Sequence, residues 1–460
     1  MFIKNFRELA KTPERKIVLE LVESALSSIQ PEEVFRTKVH RHRNILTIVD
    51  QEFDLDKFER IFLLGFGKGS AGNSRLLEKL IIDRITSGFV IDTDAEKFEK
   101  IKFTKGTHPL PSETNYKFTQ RVLEKLSDLN ENDLVLVVIC GGGSAMLVHP
   151  HAISLTQKIA VGKSLLKSGA DITEMNIVRK HLSDVKGGGL AQILYPASIV
   201  TLIYSDVPGN DLSTIASGPT VYDSTTIDNA INIIKKYDLE KELSLSRDAF
   251  IENPHDKKYF GKVHNNIVLS NQTALSAMLE RAMRLGWKAK IFSDRFQGEA
   301  KYASERLIDE TEPGSILLVG GETIVKVSKK SGKGGRNQEL VLAALEYVGR
   351  DITICSFASD GWDNAHFAGA IGDSETLERA SELQLEREIY LNRNNSLDFF
   401  EKTGDGIETG RLPSNVSDLI IVTKKPEALK AEKIIINPFL NRREVQSNYI
   451  YSKKHARRST

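Results

Sequence analysis

The stretch RIFLLGFGKGSAG, Arg60–Gly72, decides the fold. Its first half is an apolar run of strand length, and its second half is a glycine-rich turn that leads into a helical segment around Arg75–Leu80. Strand, turn and helix in that order form the unit of a parallel α/β sheet. Its strands are covered on both faces and so read as continuous apolar runs rather than alternating ones. The same grammar recurs in both directions. Upstream, Phe6, Leu9, Ile17, Leu21, Val22 and Leu26 sit at helical spacing within Asn5–Ile29. Downstream, Phe89–Asp92 reads as a strand, Asn115–Leu129 as a helix, Asp133–Cys140 as a buried strand, Ser154–Ser168 as a helix and Ser198–Ser205 as a strand. The pattern turns polar between Asp238 and Val263 and then resumes. Strands are predicted at Asn266–Ser270, Lys288–Phe292, Ser315–Val319, Thr323–Val327, Ile352–Ser356 and Leu419–Val422, and helices at Glu299–Glu310 and Gln338–Val348.

A chain of 460 residues exceeds one ordinary hydrophobic core, so two α/β domains are expected. The boundaries fall at 1–240, a connecting region at 241–262, a smaller C-terminal α/β domain at 263–424 and a basic tail at 425–460. With 40% hydrophobic and 27% charged residues the composition is that of a globular protein, and the net charge of +1 offers no field to draw in nucleic acid. The longest apolar runs, such as Leu134–Cys140, are far shorter than a membrane span. The N-terminus has no signal-type apolar region, and two cysteines outside any CxxC pattern fit a reducing cytoplasm. The Lys/Arg-rich tail reads as a solvated face.

The motifs are glycine turns that carry charge. Gly67-Lys68-Gly69-Ser70-Ala71-Gly72 matches GxGxxG, with Asp92 at the end of the next strand where a ribose-binding acid would stand. That pattern alone is common, and Lys68 within the turn suits phosphate oxygens as well as it suits a plain surface position. Gly162-Lys163-Ser164 ends like a Walker loop but has Gln157 where the first glycine belongs, and reads as mid-helix. Cys140-Gly141-Gly142-Gly143-Ser144 follows an apolar strand. A phosphate cradle or a tight structural turn both fit it, whereas a serine-nucleophile elbow fails because Met146 occupies the second glycine position. Ser205-Asp206 and Ser359-Asp360-Gly361 each place a carboxylate just after an apolar strand, as a metal ligand, a proton acceptor or a turn cap. Arg336, at the start of an apolar helix, has the planar fork that clamps carboxylate or phosphate. His108 is isolated, and a structural role is as consistent with it as a catalytic one.

In order along the chain, Gly65–Gly72, Thr107–Pro111, Cys140–Ala145, Glu174–Ala191, Ser205–Thr220, Gly320–Thr323, Gly334–Leu340, Ser359–Gly361 and Asn415–Leu419 resemble the glycerate 2-kinase family with a MOFRL-type C-terminal domain. The resemblance implies a Rossmann-like N-terminal sheet, a smaller α/β domain and an active site in the cleft between them. It implies phosphorylation of D-glycerate by ATP with Mg²⁺, giving 2-phosphoglycerate, by a cytoplasmic enzyme whose partners are small molecules, with no nucleic acid and no membrane. A homodimer is compatible with it.

The site residues that the resemblance implies are Lys68, Asp206 and Arg336 for catalysis. For the nucleotide phosphates they are Gly67, Gly69, Gly141, Gly142, Gly143, Ser144, Lys186 and Gly187. Arg336, Asn337 and Ser205 are implied for the acceptor, and Asp206 and Asp360 for the metal. The sequence departs from the family pattern at Cys140, at Ser359 and along Thr409–Asp418, where Arg411 and Leu412 enter a loop expected to help shape the site. Two other readings stand beside this one. One is a hydroxypyruvate (2-hydroxy acid) reductase that uses NAD(P)H through the GxGxxG turn and Asp92. The other is a non-enzymatic ligand-binding relative.

Overall fold

In the computed structural model, which describes residues 1–328 and 331–426, the two most apolar runs of the chain lie side by side. A small antiparallel meander, β1 (Val39–His42), β2 (Ile45–Ile48) and β3 (Gln51–Asp54), precedes them. The first large sheet contains β4 (Arg60–Phe66), β5 (Ile85–Asp92), β6 (Ile101–Lys105), β7 (Asp133–Ile139), β8 (Ser198–Tyr204) and β9 (Val263–Leu269). Its order is β6-β5-β4-β7-β8-β9, and every pairing is parallel. β7 is buried at all seven positions and β4 at six of seven, as strands covered by helices on both faces must be. Numbered within the sheet this is the 3-2-1-4-5-6 order of the dinucleotide-binding fold. The chain reverses direction of progress between β4 and β7, which opens a crevice at their carboxyl ends.

The second sheet is mixed. It runs β10 (Lys288–Glu299), β11 (Ser315–Ile324), β15 (Asp418–Lys424), β12 (Ile352–Ala358), β13 (Gly369–Gly372) and β14 (Gly406–Ile407), with only the β10–β11 pair parallel. One continuous apolar core joins the sheets, from Leu63 and Val138 through Val18, Leu19 and Met278 to Phe357 and Ile421. Residues 1–425 accordingly form one compact unit. Among the described residues no helix is long and apolar enough to cross a membrane.

Three expectations meet a different arrangement. The connecting region at 241–262 leads into β9, the sixth strand of the first sheet, rather than into the second sheet. The N-terminal helix Pro13–Ser28 packs toward the second sheet, where the buried Arg15 binds Asp373 at 2.6 and 2.7 Å and Asp405 at 2.7 Å. Gly320 and Gly321 belong to the unbroken strand β11 rather than to a loop, because Gly321 lets the β10 backbone at Phe296 approach to a distance no Cβ would allow. Gly162–Ser164 lies inside the helix Leu155–Lys167, as its pattern predicts. The basic tail beyond 426 lies outside the described residues.

Candidate active site

The turns after β4 and β7 interlock at the crevice. Lys68 N–H donates to Gly141 O at 2.7 Å and Cys140 N–H to Phe66 O at 3.0 Å. Gly67 has φ +110°, and a Cβ there would lie 2.3 Å from Cys140 O, so only glycine lets the two turns meet. At Gly141 a Cβ would lie 2.2 Å from Asp206 Oδ2, so the bare backbone admits the carboxylate to the turn. The next residue, Gly142, faces the ring of His108. Three segments far apart in sequence thus deliver Lys68, Asp206 and His108 to one turn.

A cavity of about 320 Å³ opens here, lined by Lys68, Gly69, Gly141, Asp206 and Asp360, and walled by Arg411–Asn415 from the second half of the chain. The loop is anchored: Ser417 Oγ donates to Asp206 O at 2.5 Å, while Ser359 Oγ donates to Ser417 O at 2.7 Å and accepts from Val416 N–H at 2.8 Å. Burial pushes the Asp206 carboxyl above the usual carboxylate range; Lys68 pulls against that and Glu322 adds to it. Burial, then Lys68, holds His108 below its ordinary value, so its ring stays neutral beside the ammonium. Burial raises the Cys140 thiol well out of the reactive range, and its sulfur receives only a long contact from Asn73.

The other expected residues divide. Asp360 reaches the cavity, with Oδ1 accepting from Trp362 N–H at 3.1 Å. Arg336 lines a separate hollow of the second half, beside Gly335 and Trp362, and its guanidinium is taken by Asp418 and Glu322. It does not share the cavity of Lys68 and Asp206, because two carboxylates claim it first. Asn337 is buried with its amide committed to Asp363, Asp418 and Ser356, and Ser205 is buried against its own loop at Val207. Neither is free to hold an acceptor. Gly143 packs on Ala216 and Phe66, and Gly187, in the left-handed region, against Asn253. Ser144 Oγ meets Ser217 Oγ at 2.9 Å, and Lys186 is buried with Nζ on Ala216 O at 3.1 Å.

Asp92 lines the cavity, but both its oxygens are occupied. Oδ2 accepts from Ala71 N–H at 2.9 Å and Oδ1 from Thr93 N–H at 2.6 Å, which makes it a cap rather than a receptor for ribose hydroxyls. Gly72 has open space where the third glycine of a dinucleotide fingerprint would pack helix on strand. As for a metal, the two carboxylates on the cavity are hard oxygen donors of the kind Mg²⁺ takes one or two of when it arrives with phosphate. Among the described residues no group of three or more His, Cys, Asp or Glu could hold an ion alone.

Sequence reasoning gave no site role to Asn415, Trp362, Lys158 or Arg179. Arg411, which it placed only in a loop, lies with its guanidinium 4.1 Å over the Trp362 ring. A cation and an aromatic about fifty residues apart carry no local signal of that contact.

A parallel sheet with a lysine-bearing glycine turn and a buried carboxylate at its switch point, closed over by a loop of a second sheet, defines an α/β protein with a polar crevice where open sheets of this kind take small ligands. The comparisons with known proteins are more specific. Residues 17–252 match a family model described as a domain of unknown function, DUF4147, and 315–418 match the MOFRL family. The chain is 34% identical to the glycerate 2-kinase of Pyrococcus horikoshii across 89% of this chain and 98% of that one. It is similar to the crystal structure of a glycerate kinase from Thermotoga maritima, with TM-score 0.79, 32% identity, and coverage of 89% of this chain and 99% of that one. A protein of Agrobacterium vitis that carries the provisional name hydroxypyruvate reductase is 36% identical across 78% of this chain and 98% of its own length. The chain belongs to the glycerate 2-kinase family.

Proposed function

We propose that the protein phosphorylates the 2-hydroxyl of D-glycerate with ATP. The observation that carries this reading is the shared cavity of Lys68 and Asp206 at the switch point, walled by Arg411–Asn415. Asp206, whose raised pKa suits proton acceptance, takes the proton of the attacking hydroxyl. The hydroxyl oxygen bonds to the terminal phosphorus, the bond from that phosphorus to the bridging oxygen of the leaving diphosphate breaks, and ADP departs. Lys68 offsets charge on the transferred group, and neutral His108 on Gly142 sets no second cation against the Lys68 ammonium. With Arg336 committed to Asp418 and Glu322, Arg411 is the guanidinium at the cavity wall for the acceptor carboxylate. Arg336 neutralises Glu322, which otherwise faces Asp206. Asp360, the other strand-end carboxylate on the cavity, would hold Mg²⁺ brought by the nucleotide and leave Asp206 to the proton, and the ion supplies further charge neutralisation when bound. The reaction is placed in the cytoplasm, which suits the free thiols Cys140 and Cys355.

The test is an ATP-dependent assay on D-glycerate with phosphorus NMR of the product, expected to give 2-phosphoglycerate. A 3-phosphoglycerate signal would refute the regiochemistry. NADH or NADPH oxidation with hydroxypyruvate, without need of ATP, would replace the reading with the reductase, against which the occupied Asp92 carboxylate speaks. Nucleotide binding with no turnover on a panel of 2-hydroxy acids would replace it with a ligand-binding relative.

A further inference from the structure

The loop that walls the cavity carries Arg411 on a fixed backbone. At the base of the loop Lys4 N–H donates to Glu408 O at 2.7 Å, and Asn5 Nδ2 donates to Gly406 O at 2.8 Å. At its far end Ser414 Oγ donates to Ile29 O at 2.5 Å. Between these ties the loop meets the Ser359–Trp362 turn. Leu412 N–H donates to Asp360 O at 2.8 Å, and a Cβ on Gly361, at φ +77°, would lie 2.0 Å from Gly410 O. Only glycine lets these two backbones close on each other.

Two large side chains leave this junction, and both are exposed, Trp362 by 38%. So exposed a ring is not held there by the core. Among the described residues the Arg411 guanidinium makes neither an ion pair nor a hydrogen bond, and its Cζ stands 4.1 Å from the centroid of the Trp362 ring. The carboxylate beside them, Asp360, turns Oδ1 to Trp362 N–H at 3.1 Å instead. Arg411 lines the cavity of Lys68 and Asp206, whereas Trp362 lines the hollow of about 590 Å³ that holds Arg336. The ring in one hollow thus steadies the cation of the other.

The manner of contact matters. All five N–H donors of a guanidinium lie in its plane, so a carboxylate partner consumes the edge, as Asp418 and Glu322 do at Arg336. An aromatic ring takes the face and leaves the edge available. Stacking also removes rotamer freedom before a ligand arrives, which a free arginine on a loop would lose on binding.

We propose that Trp362 is a positioning residue for the acceptor: its ring holds Arg411 by the face and presents the in-plane N–H edge to the carboxylate of the 2-hydroxy acid. This rests on the reading in which Arg411 takes that carboxylate. Arg411 is the group that touches the acceptor, and Trp362 acts through it.

The test combines the KM for D-glycerate in the ATP-dependent assay with its Kd from calorimetry on the full-length protein. Trp362→Leu keeps apolar bulk without a π face and is expected to raise both about fivefold, the size of a lost cation–π contact. Trp362→Phe, which keeps a ring, stays within about twofold of wild type. In each variant kcat, the KM for ATP and the thermal midpoint hold near wild-type values, as for loss of binding common to ground and transition states. Arg411→Met raises KM and Kd at least about tenfold, and adding Trp362→Leu to it raises them no further. A Trp362→Leu protein with wild-type KM and Kd overturns the proposal and leaves the kinase reading intact. So does a Phe variant as impaired as the Leu variant, or a Leu effect that persists in full beside Arg411→Met. Binding of D-glycerate that depends on both residues in a protein without turnover upholds the positioning role and sinks the kinase reading alone. A wild type that neither binds nor phosphorylates D-glycerate sinks both.

Discussion

Arg15 and Lys186 are both fully buried cations, yet their surroundings are opposite. Arg15 joins the N-terminal helix to the second sheet, with Asp373 and Asp405 at hydrogen-bond distance and Thr376 Oγ1 at 2.8 Å. Every charge at that junction has its counter-charge, and its two carboxylates raise the Arg15 guanidinium further above its ordinary value against the pull of burial. Behind the triglycine turn, Lys186 has a single carbonyl and two cationic neighbours. A buried charge that is paired holds a structure together, whereas one left unpaired is costly unless an anion joins it or its proton leaves.

The largest test of this contrast is Arg15→Ala. It leaves the buried Asp373 without a guanidinium and Asp405 with Arg379 alone, and is expected to lower unfolding free energy by about 3–5 kcal/mol in denaturant titration. A loss below about 1 kcal/mol would erase the distinction on its structural side. Asp206→Asn and Lys68→Ala address the reacting end, and each is expected to lower kcat at least about 100-fold with the unfolding midpoint unchanged. Near-normal turnover in either would remove that residue from the mechanism.

Lys186→Met sharpens the contrast from the other direction. It removes a desolvated ammonium at the expense of one hydrogen bond, and its stability should lie within about 1 kcal/mol of wild type by the same titration. A loss as large as that of Arg15→Ala would show that Lys186 is a structural cation after all. The remaining test is one of pH. The Lys158 ammonium titrates near 7 in the folded chain against 10.5 unfolded. The unfolded chain therefore binds the extra proton between those values, and stability should climb as pH rises through that window. The climb should flatten in Lys158→Met; an identical slope in the two proteins would contradict the assigned surroundings of Lys158.

Much of the first sheet was legible because β4, β7 and β8 are continuous apolar runs ended by glycine or by Ser-Asp, and burial on both faces leaves that trace in sequence. β9 was readable as a strand but not as a member of that sheet, since parallel pairing joins residues about sixty positions apart. Lys68, Asp206 and Asp360 were found as charges at the ends of apolar strands, and the cavity contains all three. Arg336 and Asn337 were found by the same kind of pattern and turn out to be bound up with Asp418, Glu322 and Asp363. A local motif shows which donor a residue carries but not which acceptor already has it. Arg179 and Lys158 sit on helices with unremarkable charge patterns, and that neither makes an ion pair among the described residues is visible only in three dimensions.

The order of residues alone settled the α/β class and the glycine turns at strand ends, because apolar runs and turn glycines are fixed by backbone geometry within a few residues, and its motifs carried the resemblance to the family. Tertiary structure alone decided which cations are committed: Arg336 is claimed by carboxylates, Arg411 reaches the cavity wall, and Lys186 is buried with no counter-ion among the described residues. The reason is physical. Charge compensation acts through space over a few ångströms, and the chain brings those partners together from segments tens to hundreds of residues apart.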